Sequence, residues 1–263
     1  ISVGIVSRGY GRKGKNAHLV QHQDSIEQAG DEPLLLFKEL SVPVVVAAQR
    51  VSAINLLLQY YPNIDLIISD DGWQHFAMAR DAVVEIIDHE KGYGNGYCLP
   101  AGPLRDTIDN STADLVIYQG IDLQLEPAEW YHIATQTYYP LSEKLSYFTD
   151  NNLSISALAG IGHPERFFNT LKNIGINISS SFALADHQPL PENLLIHQQP
   201  SAPIIMTMKD AMRCPTHLAT HCWALVVKTK FTPEAEEKLL KLVLHTIQTH
   251  STELPIYTQS ESI

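Results

Sequence analysis

Two adjacent carboxylates, Asp70 and Asp71, close an apolar run in IDLIISDDGWQH. An apolar strand ending in paired acids is how many phosphate-handling enzymes hold Mg²⁺. The hard cation takes oxygen ligands, and such sheets bind ligands at the carboxyl ends of their strands. The same pair would also cap a turn before Gly72, and spacing leaves both readings open. His75 follows closely; a lone histidine in such a place is more often structural. In AGDEP, Asp31 and Glu32 follow a glycine. They suit catalysis or, equally, the stabilisation of a helix dipole by acids at its N-terminus. ADHQP places Asp186 and His187 after a strand-like run. A carboxylate from one part of the chain and an imidazole from another make a general base with its orienter wherever folding brings them together.

Further polar groups sit in loops. GYGNGYCLPAGPLRD is rich in glycine and proline and carries Asn95 and Arg105. Arg105 suits a phosphate through its planar fork or, alternatively, an ordinary surface salt bridge. In MTMKDAMRC, Lys209 and Asp210 after a strand read as an ion pair at a helix start. The opening stretch VGIVSRGYGRKGKNAH spells G-x-x-x-x-G-K-N from Gly9 to Asn16. A P-loop needs a hydroxyl after the lysine to ligate Mg²⁺, and Asn16 offers only an amide. The basic residues Arg8, Arg12, Lys13 and Lys15 fit a loop that contacts an anionic substrate better than a phosphate cradle.

The elements that must position these groups alternate. ISVGIVS, VPVVVA, IDLIIS, AVVEIIDH and ADLVIYQG read as strands, with helices over DEPLLLFKEL and RVSAINLLLQYYP, the latter stopped by Pro62. Near-continuous apolar strands fit a parallel sheet covered on both faces. From Ile121 to Phe148 polar and aromatic residues alternate (YHIATQTYYPLS, LSYFT), the texture of a two-stranded connector. Alternation of strand and helix then resumes through SISALAGIG, HPERFFNTLKNIG, INISSSFALADH, PIIMT and WALVVKTK. The last helix, TPEAEEKLLKLVLHTIQTH, has Thr232 as N-cap and Pro233 at its first position. The fold expected is α/β: a core lobe over residues 1–120, a two-stranded linker over 121–152 and a second α/β lobe over 153–263.

Composition narrows the function classes. A net charge of −11 over 263 residues argues against a general nucleic-acid binder, whose affinity needs a basic face. Three cysteines, Cys98, Cys214 and Cys222, without paired spacing read as free thiols rather than a zinc site. No apolar run reaches the length of a membrane span, and no signal peptide opens the chain. Because Ile1 opens on a strand, the chain reads as a fragment or a processed product. No G-x-G-x-x-G fingerprint opens a helix, which disfavours a dinucleotide enzyme.

Taken together, VSRGYGRK, AGDEPLLL, VPVVVAAQR, SDDGWQH, DHEKGYGNGYCLPAGPLRD, AGIGHPERFF, ADHQP and MTMKDAMRC, in that order from Val6 to Cys214, resemble the tetraacyldisaccharide 4′-kinases, the lipid A 4′-kinases of Gram-negative bacteria. The resemblance implies a P-loop-kinase-like parallel sheet with helices on both faces, and a second α/β lobe joined by a two-stranded linker. It implies transfer of the γ-phosphate of ATP, with Mg²⁺, to the 4′-hydroxyl of a tetraacylated glucosamine disaccharide 1-phosphate. The enzyme is expected as a monomer in peripheral contact with the cytoplasmic face of the inner membrane. Carried over by position, Asp31 is the catalytic carboxylate and His187 its partner. Asp70 and Asp71 hold the metal, and Glu32 and His75 lie beside the nucleotide phosphates. Arg8, Tyr10, Asn95 and Arg105 face the substrate. In the family the P-loop and a membrane-associating helix precede the strand at which this chain begins, so these residues alone are expected to lack the nucleotide cradle. A non-catalytic binding protein derived from such a kinase is the alternative. Met208 stands where the family usually carries Glu in T-E-K-D, so no catalytic role is expected for that segment.

Overall fold

The computed structural model describes residues 1–107, 112–150, 153–185, 188–197 and 202–251. The chain forms two compact units: residues 1–75 with 126–228, and residues 76–125 with 229–263.

The first unit contains two sheets. The first has the order β2–β3–β1–β4: β1 (Val3–Ser7), β3 (Val44–Val46) and β4 (Leu66–Ser69) are parallel, and β2 (His18–Leu19) lies antiparallel on β3. Side chains alternate across a strand, so three consecutive valines in β3 serve both faces. Val44 and Val46 pack with Ile5, Ala29 and Leu34, beside α1 (Ile26–Ala29) and α2 (Asp31–Leu40). Val45 packs with Val6, Ala53 and Leu57, under α3 (Arg50–Tyr60). β3 is therefore covered on both faces as expected, whereas β4 is not: Ile68 is exposed there. At Gly4 an added Cβ would stand 2.7 Å from both Leu57 and Ile64 side-chain carbons, so glycine there lets α3 seat closely.

The second sheet of this unit runs β10 (Ile178–Ala183), β9 (Ile155–Ala159), β11 (Ile204–Thr207), β12 (Cys222–Phe231), β7 (Leu123–His132), with β8 (Thr137–Pro140) antiparallel on β7. β9 pairs in parallel with β10 and β11, and β11 with β12. One face packs Ile155, Ala157 and Ile205 against Phe167, Phe168 and Leu171 of α5 (Pro164–Asn173). The other packs Leu158, Ile204 and Met206 against Leu195 of α6 (Glu192–His197) and Met208 and Ala211 of α7 (Met208–Met212). In the stretch read as a two-stranded connector, β7 and β8 form an antiparallel pair, with β7 also paired into the larger sheet. LSYFT does not belong to that pair: these residues lie in α4 (Leu141–Asp150). Leu141, Leu145 and Phe148 fall at helical spacing onto the core that holds Trp130, and that period overrides the aromatic alternation.

In the second unit β5 (Val84–Asp88) and β6 (Leu115–Gln119) are parallel and in register from Val84↔Leu115 to Asp88↔Gln119. The final helix, α8 (Pro233–Ser251), starts as read, with Thr232 Oγ1 accepting from Ala235 N at 3.3 Å. Among the described residues no helix is long and apolar enough to cross a membrane.

Candidate active site

The C-terminal ends of β1, β3 and β4 share one edge of the first sheet, because the three strands are parallel. Ser7 ends β1 and is buried. Its Oγ donates to Asp70 Oδ2 at 2.9 Å, and Asp70 N donates to Val6 O at 3.0 Å. Burial pushes the Asp70 carboxyl above the usual carboxylate range; the Ser7 hydrogen bond opposes this, and the charges of Glu32 and Asp71 add to it. Glu32 is thus close enough for its charge to bear on Asp70. Asp71 has φ of 47°, a left-handed conformation that aspartate tolerates better than most residues, and it turns the exposed carboxylate out of the strand line. Gly72 follows because a Cβ there would lie 2.5 Å from Ser69 Oγ.

Arg50 fixes this turn from below. It opens α3, and only 2 % of it is exposed. Nη2 donates to Asp70 O at 2.7 Å, Nη1 to Ala47 O at 3.2 Å and Nε to Ser69 Oγ at 3.3 Å. Burial pulls its basicity below the ordinary arginine value, while Asp70 and Asp71 hold it up and Arg8 lowers it further. Burial, Arg50 and Arg8 together push the His75 imidazole below its ordinary value, against Asp71. Arg8, Arg50 and Asp71 thus all bear on His75, and Glu32, Asp71 and Arg50 on Asp70.

Asp31 begins α2 and is buried. The turn before it depends on two glycines. Gly30 has φ of 92°, and a Cβ there would meet Tyr10 O at 3.1 Å and Gly9 Cα at 3.2 Å. At Gly9, φ 67°, a Cβ would meet Ala29 O at 3.0 Å. The backbone of the basic loop packs directly on the entrance to α2, with Tyr10 exposed. That loop is not a P-loop. A P-loop opens a helix, whereas β2 follows here, Arg12 Nη2 donates to Asn16 O, and Lys13 pairs with Glu27 at 2.8 Å.

The segment MTMKDAMRC holds the main surprise. Lys209 and Asp210 do not pair with each other as read. Lys209 Nζ pairs with Glu32 Oε1 at 2.6 Å, and the fully buried Asp210 pairs with Arg213. α7 packs on α2 and sets Arg213 Nε 3.9 Å from Asp31 Oδ2. Arg50, Lys209, Asp210 and Arg213 were not among the site residues read from the sequence. The available signals were an arginine four residues after a buried valine strand and an acid–base pair three residues apart at the end of a short helix. Asp31, Glu32, Asp70, Asp71, His75, Arg8 and Tyr10 all lie in the first unit. His187 lies outside the described residues. Asn95 and Arg105 lie in the second unit, where the Asn95 side chain braces its own loop: Nδ2 donates to Ala101 O at 2.9 Å and Oδ1 accepts from Tyr97 N at 3.2 Å. Arg105 is exposed.

A parallel sheet with helices on both faces and acids gathered at its carboxyl edge defines an α/β protein of the P-loop-kinase-like class. The chain belongs to the tetraacyldisaccharide-1-P 4′-kinase (LpxK) family, whose model matches residues 1–244. It is 37 % identical over 249 residues to the tetraacyldisaccharide 4′-kinase of Pasteurella multocida (strain Pm70), spanning 91 % of this chain and 74 % of that protein. The enzyme of the same name from Hamiltonella defensa is 38 % identical over 250 residues, with 91 % and 74 % covered. The crystal structure of LpxK from Aquifex aeolicus, determined in complex with ATP, superposes with a TM-score of 0.71 at 24 % identity and shares the fold over 94 % of this chain and 79 % of that one.

Proposed function

We propose that the protein transfers the γ-phosphoryl group of ATP to the 4′-hydroxyl of a tetraacylated glucosamine disaccharide 1-phosphate, a step of lipid A assembly. The observation that carries this reading is a buried carboxylate, Asp31, at the same sheet edge as the Ser7–Asp70–Asp71 group, in a chain of this kinase family. Asp31 accepts the proton of the sugar hydroxyl, and His187 is its partner. Asp70 and Asp71 hold Mg²⁺. Among the described residues no three His, Cys, Asp or Glu form a closed metal cage. Two adjacent oxygen donors nevertheless fit Mg²⁺, which keeps its waters and completes its shell with phosphates. When bound, the ion neutralises charge on the transferring phosphoryl group. Glu32 and His75 lie beside the phosphates, with Lys209 holding Glu32 through its ion pair. Arg8, Tyr10, Asn95 and Arg105 face the substrate. The organisation into a core lobe, a linker and a second lobe is part of this reading. So are a monomeric state and peripheral attachment to the cytoplasmic face of the inner membrane.

Phosphoryl transfer needs alignment and charge neutralisation more than covalent help. A sugar hydroxyl is a weak nucleophile, so a base that takes its proton contributes about 10²-fold, roughly 2.7 kcal/mol of barrier. The test is ³²P transfer from ATP to the lipid disaccharide by the complete gene product. Transfer to the 4′ position is expected, with Asp31→Ala and His187→Ala each losing most of kcat while remaining folded. A folded protein without transfer would remove the proposal; normal turnover in both variants would remove the pair of roles.

A further inference from the structure

We infer that Arg213 is a positioning residue for Asp31, an inference that rests on the reading of Asp31 as the base. The Arg213 side chain is 6 % exposed. Its guanidinium is fixed on one side: Nη2 pairs with Asp210 Oδ1 and donates to Gly160 O at 3.3 Å, and Nη1 donates to Gln188 O at 2.7 Å. Asp210 is itself pinned, its Oδ2 accepting from Gly160 N at 3.0 Å and from Thr207 Oγ1 at 2.6 Å. One guanidinium nitrogen is left over. Nε is buried and has no hydrogen-bond acceptor among the described residues, and it faces Asp31 Oδ2 at 3.9 Å.

Planar geometry makes this more than neutralisation of Asp210. With the two Nη groups anchored, the rigid fork aims Nε at one place, and that place holds the second buried carboxylate. Asp31 Oδ1 accepts from Glu32 N at 3.0 Å. Held by that N–H on Oδ1 and facing the cation at Oδ2, the carboxylate plane is oriented from two sides. An approach of about 1 Å would turn the Nε contact into a charge-assisted hydrogen bond. The same guanidinium grips the carbonyl of Gln188, the residue that directly follows His187 in the chain. One side chain thus reaches from beside Asp31 to the backbone of Gln188. The absence of Glu at position 208 does not touch this device, since Met208 packs in the core and Lys209, Asp210 and Arg213 carry the contacts.

The test uses the complete protein, with transfer to the lipid disaccharide measured in the parent, Arg213→Met, Arg213→Lys, Asp31→Asn and the double variant Asp31→Asn/Arg213→Met. Thermal unfolding establishes that each is folded. Arg213→Met should lose about 10- to 100-fold in kcat, with KM for ATP within about twofold, the pattern of a misaligned base rather than lost binding. Arg213→Lys, which keeps the charge without the fork, should fall between Met and the parent. In the Asp31→Asn background the Arg213 change should cost nothing more. Parental kcat in Arg213→Met, or losses that multiply in the double variant, would overturn the inference. Should Arg213→Met not fold, Arg213→Lys carries the test: parental kcat overturns the inference, and a lower kcat that vanishes as an effect in the Asp31→Asn background sustains it. Parental turnover in Asp31→Asn would instead remove the base itself. A severe Asp31→Asn defect beside an insensitive Arg213 removes only the positioning role.

Discussion

Replacing Arg50 with methionine keeps the aliphatic stem in its buried slot and deletes three donors. The acceptors left behind are Asp70 O, Ala47 O and Ser69 Oγ, reached at 2.7, 3.2 and 3.3 Å. Hydrogen bonds from a charged donor contribute about 1.5–3 kcal/mol each, so three would amount to roughly 4–9 kcal/mol. Against that, methionine removes the cost of holding a cation away from water, which is several kcal/mol per ion. The difference leaves a destabilisation of about 2–4 kcal/mol. For a chain of this size that lowers Tm by roughly 4–16 °C. Arg50→Lys should recover little, because one ammonium cannot reach three acceptors spread across the ends of β3 and β4. The turn carrying Asp70 and Asp71 loses its anchor, so turnover should also require more Mg²⁺. Differential scanning fluorimetry and a Mg²⁺ titration of the transfer assay read both effects. A methionine variant melting within about 1 °C of the parent, with unchanged Mg²⁺ dependence, would refute the claim that Arg50 holds the acid turn.

Three further outcomes follow from the same geometry. The His75 imidazole should titrate below the ordinary histidine value by NMR, and Arg8→Ala should move its midpoint upward; an unmoved midpoint would show that Arg8 does not act on it. Because the folded value is lowered, the stability His75 contributes is present above the ordinary histidine pKa and lost as pH falls through the lowered one. Trp130 is fully buried and donates Nε1–H to Leu141 O at 3.1 Å, so Trp130→Phe should cost about 1–3 kcal/mol by urea unfolding. An unchanged midpoint would mean that neither the bond nor the ring volume is needed. At Gly160 an added Cβ would stand 2.8 Å from both Arg213 Nη2 and Asp210 Oδ1, neither of which has room to yield. Gly160→Ala should therefore cost about 1–3 kcal/mol and lower kcat more than KM; full activity would show that the guanidinium can shift without consequence.

The strands were legible because short apolar runs such as Val44–Val46 and Ile155–Ala159 suit strands buried on both sides. α2 and α3 were legible from their ends, the former after Gly30 and the latter stopping at Tyr60 before Pro62. α4 was not, since its three core contacts are hidden among aromatic and polar residues that alternate equally well as a strand. The acids stood out in the sequence by their places at a strand end and a helix start, where a turn cap or a helix-dipole acid looks the same. The arginines could not. A guanidinium beside a helix start looks like a solvated surface group, and only packing shows that Arg50 and Arg213 are enclosed. Short-range charge spacing suggested Lys209 with Asp210. Tertiary contact re-sorted the partners, because Asp210 faces the core and Lys209 faces Glu32.

The contact between Gly9 and Gly30 means that the basic loop and the first turn of α2 cannot be altered one at a time. A methyl group on either would drive the loop backbone and the carboxylate-bearing helix apart. Swapping in a loop of different length to broaden the choice of acceptor would therefore also change the chemistry, and any such redesign has to treat residues 8–16 and 29–32 as one piece.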